Sequence, residues 1–156
     1  MDVISVPHTT QIAVFRLVLA TVLGAAVGVN RELFLKPAGL RTHALVALGA
    51  SLFAIVALLL TPSAGADFTA VSRIVQGLVA GVGFIGGGVI IRRDDPQGVH
   101  GVSTAASIWV SSAIGLSAGL GLWRAALAAV ALAVVVLSLT PLDRKLREWR
   151  EVQPPR

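Results

Sequence analysis

The chain of 156 residues has no cysteine. A disulfide framework, a thiolate metal site and a cysteine nucleophile are therefore excluded, and cysteine usage does not specify the redox compartment. Charge is also scarce: 13% of residues are charged against 55% hydrophobic, and the mean hydropathy is +0.83. Such apolarity far exceeds what a soluble domain of this size needs to fill its core, and it describes an integral membrane protein. The first eleven residues hold Asp2 and His8 but no Lys or Arg, so they lack the basic start of a signal peptide and the first apolar run is read as retained. The net charge of +5 lies at the edges of apolar runs and in the tail. That placement suits topology and anionic lipid, and nucleic acid is not an expected partner.

Five apolar runs cover residues 12–29, 42–60, 74–91, 103–120 and 122–139. Each approaches the roughly 20 residues a helix needs to cross a bilayer. The reading is an all-α polytopic bundle of five spans over residues 1–141, followed by a basic juxtamembrane tail over 142–156. The last boundary is the weakest, because only Gly121, Trp123 and Arg124 mark a reversal, and a four-span alternative would merge the final two runs. Short loops rich in Lys and Arg stay in the cytoplasm. With five spans Arg31, Lys36, Arg41, Arg92, Arg93 and the basic residues from Arg144 to Arg156 share one side, while Arg16, Arg73 and Arg124 take the other. The amino terminus is then outside and the carboxyl terminus cytoplasmic. A faint parallel repeat relates the first two spans to the next two: Arg16 precedes Gly24 by eight residues as Arg73 precedes Gly81, and GLRTHA corresponds to GVSTAA. In the tail, Leu142, Leu146 and Trp149 follow a helical spacing that suits a short interfacial helix, with a frayed juxtamembrane tail held by charge alone as the alternative.

The third run holds Gly77, Gly81, Gly83, Gly86, Gly87 and Gly88. Each would cost a water-exposed helix roughly 1 kcal/mol against alanine. In a bilayer smooth glycine faces let helices approach closely. At 100° per residue Gly77, Gly81 and Gly88 form one stripe, with Gly83 and Gly87 on another, so the third span is expected at the centre of the bundle, flanked on two sides. Gly81→Leu is then expected to disrupt packing. Matching small faces are Thr21, Gly24 and Gly28 on the first span, His43, Ala47, Ala50, Ala54 and Ala57 on the second, and Ser103, Ser107, Ser111 and Gly115 on the fourth. The fifth run has little polarity and is placed at the periphery. Gln76, an amide well inside the third span, needs a partner, and the serine stripe of the fourth span offers one.

Candidate polar residues are few. Asp67 lies six residues before Arg73 at the outer mouth, where it could pair with Arg73 or Arg16 or capture a cation. It is a weak metal candidate, and no metal site is assigned. The apolar runs contain no Asp or Glu, which leaves a divalent-cation path poorly equipped. On the inner side stand Glu32, Arg41 and His43, with Asp94 and Asp95 on the second loop; Thr42 and Ser103 are placed as helix N-caps. His8, His43 and His100 form no recognisable nucleophile–base motif with the serines, so neither enzyme activity nor a cofactor is expected.

The strings KPAGLRTHALVALGA (Lys36 to Ala50), RIVQGLVAGVGFIGGGVII (Arg73 to Ile91) and GVSTAASIWVSSAIGLSAG (Gly101 to Gly119), in that order and spacing, resemble the membrane domain of the MgtC/SapB family of bacterial inner-membrane proteins. The resemblance implies a helical inner-membrane protein associated with growth at low magnesium and, in pathogens, with survival inside macrophages. It implies a regulator rather than a transporter, with the membrane ATP synthase as a proposed target. The family's acidic residue would be Asp67 and its RTH motif Arg41, Thr42 and His43. Asn30 stands where many members carry Glu before the Arg-Glu pair, which weakens a paired-carboxylate site there. Many members carry a soluble carboxyl-terminal domain; the present sequence ends soon after its fifth run, and that domain's functions are not expected of it. The reading is a protein acting by helix contacts with other membrane proteins or with a second copy of itself. Its rivals are a magnesium transporter or channel and a structural or lipid-organising subunit.

Overall fold

The computed structural model describes residues 6–60, 69–91 and 100–139, and within them the chain is entirely helix and short turns. The helices are α1 (Val6–Leu33), α2 (Leu40–Leu60), α3 (Thr69–Ile91), α4 (Val102–Gly119) and α5 (Trp123–Ser138). The first four are long and apolar enough to cross a membrane; α5, at 16 residues, is shorter, with a length of about 24 Å. The reversal at Gly121 is present, so the last two apolar runs form separate helices. Asp67, Asp94, Asp95 and the tail from Leu142 lie outside the described residues.

Local chemistry explains the helix ends. At the end of α1, Lys36 N–H donates to the Arg31 carbonyl (3.0 Å) and Leu35 N–H to the Glu32 carbonyl (3.0 Å). This is the Schellman closure of a helix, and it puts Leu35 in the left-handed region at φ 51°. The end of α4 closes the same way, Leu122 N–H to Ser117 O (2.8 Å) and Gly121 N–H to Ala118 O (3.0 Å), with a glycine, Gly121 at φ 87°, in the left-handed position. Thr42 and Ser103 do not cap helices, because α2 and α4 begin before them. Glu32 instead accepts the Leu40 N–H on Oε2 at 3.0 Å, a carboxylate at the positive end of α2. The N-cap of α4 is Gly101 at φ 89°, without a side-chain cap; a Cβ there would lie 2.8 Å from the Val89 carbonyl oxygen.

Helices α1, α2 and α4 contact one another and form the centre of the bundle. Small residues set their spacing. A Cβ on Gly24 would fall 2.5 Å from the His43 carbonyl oxygen and 2.6 Å from Ala47 Cβ; one on Gly28 would fall 2.5 Å from Leu40 Cα. Gly115 lies against the backbone of Ala47, and a Cβ on Gly119 would fall 2.6 Å from the Ser51 carbonyl oxygen. Around these contacts Ala20, Leu23 and Val27 of α1 pack with Ile114 and Ala118 of α4 and Ala126 of α5.

Helix α3 departs from its expected central position. It borders α2 and α4, reaching them mainly through Val82, Leu78 and Val89. Among the described residues, a Cβ on Gly77, Gly81, Gly83, Gly87 or Gly88 would meet nothing within 4 Å, and Gly86 alone of this series has a neighbour, Ala105 Cβ at 3.4 Å. The physical reason is that α2 and α4 already touch backbone to backbone at Ala47–Gly115 and Ser51–Gly119, which leaves no room for a third helix between them. Helix α5 lies on the other flank, against α1 and α4.

Candidate functional site: a buried polar cluster where three helices meet

One end of the α1–α2–α4 bundle is polar inside. The last turn of α1 supplies Asn30 and Arg31, the first turn of α2 supplies His43, and α4 supplies Thr104, Ser107 and Ser111 at helical spacing. Arg31 is 2% exposed, and His43 and Ser111 are fully buried. Burial of polar groups in this way is costly unless they bond each other.

The bonds link the helices. Arg31 Nη2 donates to Thr104 Oγ1 at 2.8 Å, joining α1 to α4. His43 Nδ1 lies 2.8 Å from the Gly39 carbonyl and Nε2 lies 3.0 Å from Ser107 Oγ, joining α2 to α4. A carbonyl only accepts, so Nδ1 carries the hydrogen; in the neutral ring Nε2 is then an acceptor facing the Ser107 hydroxyl. That hydroxyl also lies 2.8 Å from the Thr104 carbonyl, so its one hydrogen serves two acceptors in turn. Asn30 Nδ2 donates to Ser138 Oγ at 2.9 Å and fastens the end of α5 to α1. Arg31 Nε, Asn30 Oδ1 and Ser111 Oγ are buried without a partner. A serine hydrogen-bonded to a histidine that a carbonyl orients has part of the geometry of a nucleophile and its base. Ser107 is only 3% exposed, and the pair is sealed between helices, where it clamps α2 to α4.

The sequence-derived candidates scatter around this cluster. Of the RTH motif, His43 is buried in it, Thr42 is half-buried and Arg41 is exposed. Glu32 is exposed and caps α2. Ser107 and Ser111 face inward, whereas Ser103 is exposed. Gln76 does not reach the serines of α4. It is exposed, because α3 turns Val82, Val89 and Gly86 toward its neighbours, and Ser107 is already engaged with His43. Arg73 is exposed at the edge of a groove between α2 and α3. Arg16 donates from Nη1 to the Gly119 carbonyl at 2.9 Å, a cation at the negative end of α4. Sequence reasoning missed Arg31 and Thr104. An arginine just past an apolar run reads as a loop charge, and its inward turn is visible only once α4 lies beside it. Among the described residues no three His, Asp or Glu side chains gather as metal ligands.

Apolar helices of spanning length, packed through glycine and clamped by a buried polar cluster, define a polytopic helical membrane protein in contact with lipid. The MgtC family matches over residues 17–145, and the chain belongs to it. It is 40% identical over 146 residues to the protein SrpB of Synechococcus elongatus, covering 88% of this chain and 80% of that one. It is 40% identical over 132 residues to MgtC of Salmonella typhimurium, covering 85% of this chain and 52% of MgtC. It is 39% identical over 132 residues to YhiD of Escherichia coli, whose name offers it as a magnesium transporter, covering 81% of this chain and 59% of YhiD. The chain thus spans four fifths of SrpB but little more than half of MgtC and YhiD. No solved structure matches it.

Proposed function

We propose that this protein works in the bacterial inner membrane as a non-catalytic regulator of other membrane proteins, engaged through helix contacts and required for adaptation to low magnesium. The amino terminus is outside and the carboxyl tail cytoplasmic, a topology supported by the bias of Lys and Arg between connectors.

The observation that carries this reading is the outward stripe of α3. Gln76, Ala80 and Gly83 are exposed and Gly87 is half-buried, and a Cβ on Gly83 or Gly87 would meet nothing within 4 Å. Gln76 lies five residues into the apolar stretch that begins at Val71, about 8 Å along the helix. An amide there faces hydrocarbon unless another helix supplies its partner, and small residues one turn apart let that helix approach closely.

The test is complementation of a deletion strain in limiting magnesium. Wild type should restore growth, while Gln76→Leu combined with Gly83→Leu should not, at equal abundance and unchanged melting temperature. A photo-crosslinker at Gly83 should trap a discrete membrane protein in the wild-type background. Magnesium uptake by liposomes holding the purified protein alone would overturn the reading in favour of the transport role that YhiD's name suggests.

A further inference from the structure

An open groove of about 700 Å³ runs between α2 and α3. Phe53 and Ile85 are among its apolar walls, Gly49, Gly77 and Gly81 line it, and Arg73 stands along it. We propose that this groove seats one anionic phospholipid, with an acyl chain along the glycines and the phosphate on the Arg73 guanidinium.

Three observations converge on that occupant. The first is the space itself. A Cβ on Gly49, Gly77 or Gly81 would meet nothing within 4 Å, unlike Gly24 and Gly115, whose missing side chains are filled by a neighbouring helix. Glycine on both walls here leaves a hollow that no part of the described chain enters. The second is length. Ile85 lies twelve residues beyond Arg73 on α3, about 18 Å along the helix, while one leaflet of the hydrocarbon core is about 15 Å deep. The groove is thus one acyl chain deep and too short to hold a spanning helix along its course. The third is charge: Arg73 is exposed in the second turn of α3, and among the described residues its guanidinium is the one cation lining the groove. A negatively charged headgroup complements that end and an alkyl chain the rest. The site is separate from the outward stripe of α3, since Gly83 is turned roughly 160° from Gly81 about the helix axis, so the two readings fail independently.

The experiment is native mass spectrometry of the purified protein in detergent, offered equal amounts of phosphatidylglycerol and phosphatidylcholine. One lipid per chain should be retained, with phosphatidylglycerol favoured about fivefold, the effect of one basic side chain at an anionic surface. Arg73→Gln should abolish the preference. Gly77→Leu with Gly81→Leu should lower retention of both lipids at least tenfold at unchanged melting temperature, and Ala128→Leu, on the exposed face of α5, should change nothing. If the double variant lost its cooperative melt, Gly49→Val would fill the same hollow from the opposite wall and should lower retention alike. Equal retention of the two lipids by wild type, or full retention after the groove is filled, overturns the proposal. So does a disulfide between two copies carrying Phe53→Cys, which would make a second chain the occupant.

Discussion

His43 and Ser107 are joined across the centre of the bundle, Nε2 to Oγ at 3.0 Å, with the other ring nitrogen held by the Gly39 carbonyl. The imidazole is therefore fixed at both ends, and α2 and α4 cannot slide past one another without breaking the contact.

Removing the serine hydroxyl should reveal how much this clamp contributes. Ser107→Ala leaves Nε2 buried without a partner, at a cost of about 1–3 kcal/mol. The expected readout is a lower unfolding midpoint in mixed detergent micelles, with helix content unchanged at the start of the titration.

Glycines that resemble one another in the sequence should behave oppositely. Gly24→Ala and Gly115→Ala place a methyl group into neighbouring backbone and should each destabilise by about 1–3 kcal/mol or more. Gly81→Leu, in spite of its larger side chain, enters open space and should leave the melting temperature unchanged. Parallel thermal melts of the three variants decide the matter.

Arg31 and Thr104 offer a double-mutant cycle. Thr104→Val removes the acceptor of a buried guanidinium and should cost about 1.5–3 kcal/mol. Arg31→Met keeps the volume and removes the cation, and should be near neutral or stabilising. The double variant should resemble Arg31→Met, because once the cation is gone the valine has nothing to leave unpaired. Full additivity of the two changes would show that the pair is not coupled.

Leu35 holds a left-handed conformation at φ 51° in the position that Gly121 fills at the end of α4. It is 94% exposed, so little packing is lost on its removal. Leu35→Gly should relieve about 1 kcal/mol of backbone strain and raise the melting temperature, whereas Gly121→Leu should lower it, since its side chain would also meet the Arg16 guanidinium, 2.8 Å from the Cβ position.

Much of the architecture was legible because apolar length and helical period are properties of the sequence itself. Ala47, Ala50, Ala54 and Ala57 fall on one face by spacing alone, and that face is buried. What periodicity cannot supply is the identity of whatever lies opposite. Gly24 and Gly81 present the same smooth surface, yet one meets the His43 carbonyl and the other an open groove. Gln76 and Arg31 show the same gap with polar groups. The amide inside an apolar run points outward, and the arginine at the end of one points inward. Spacing marks which residues share a face, while the choice between neighbour, groove and lipid is made by how α2 and α4 meet.

Helix α5 covers the flank formed by α1 and α4, and nothing among the described residues covers the corresponding flank formed by α2 and α3. A molecule diffusing in the plane of the bilayer therefore meets two unlike sides, one faced with continuous apolar helix and one indented. Lateral encounters are orientation-dependent: approach to the α5 side meets a filled surface, and approach to the α2–α3 side meets a recess.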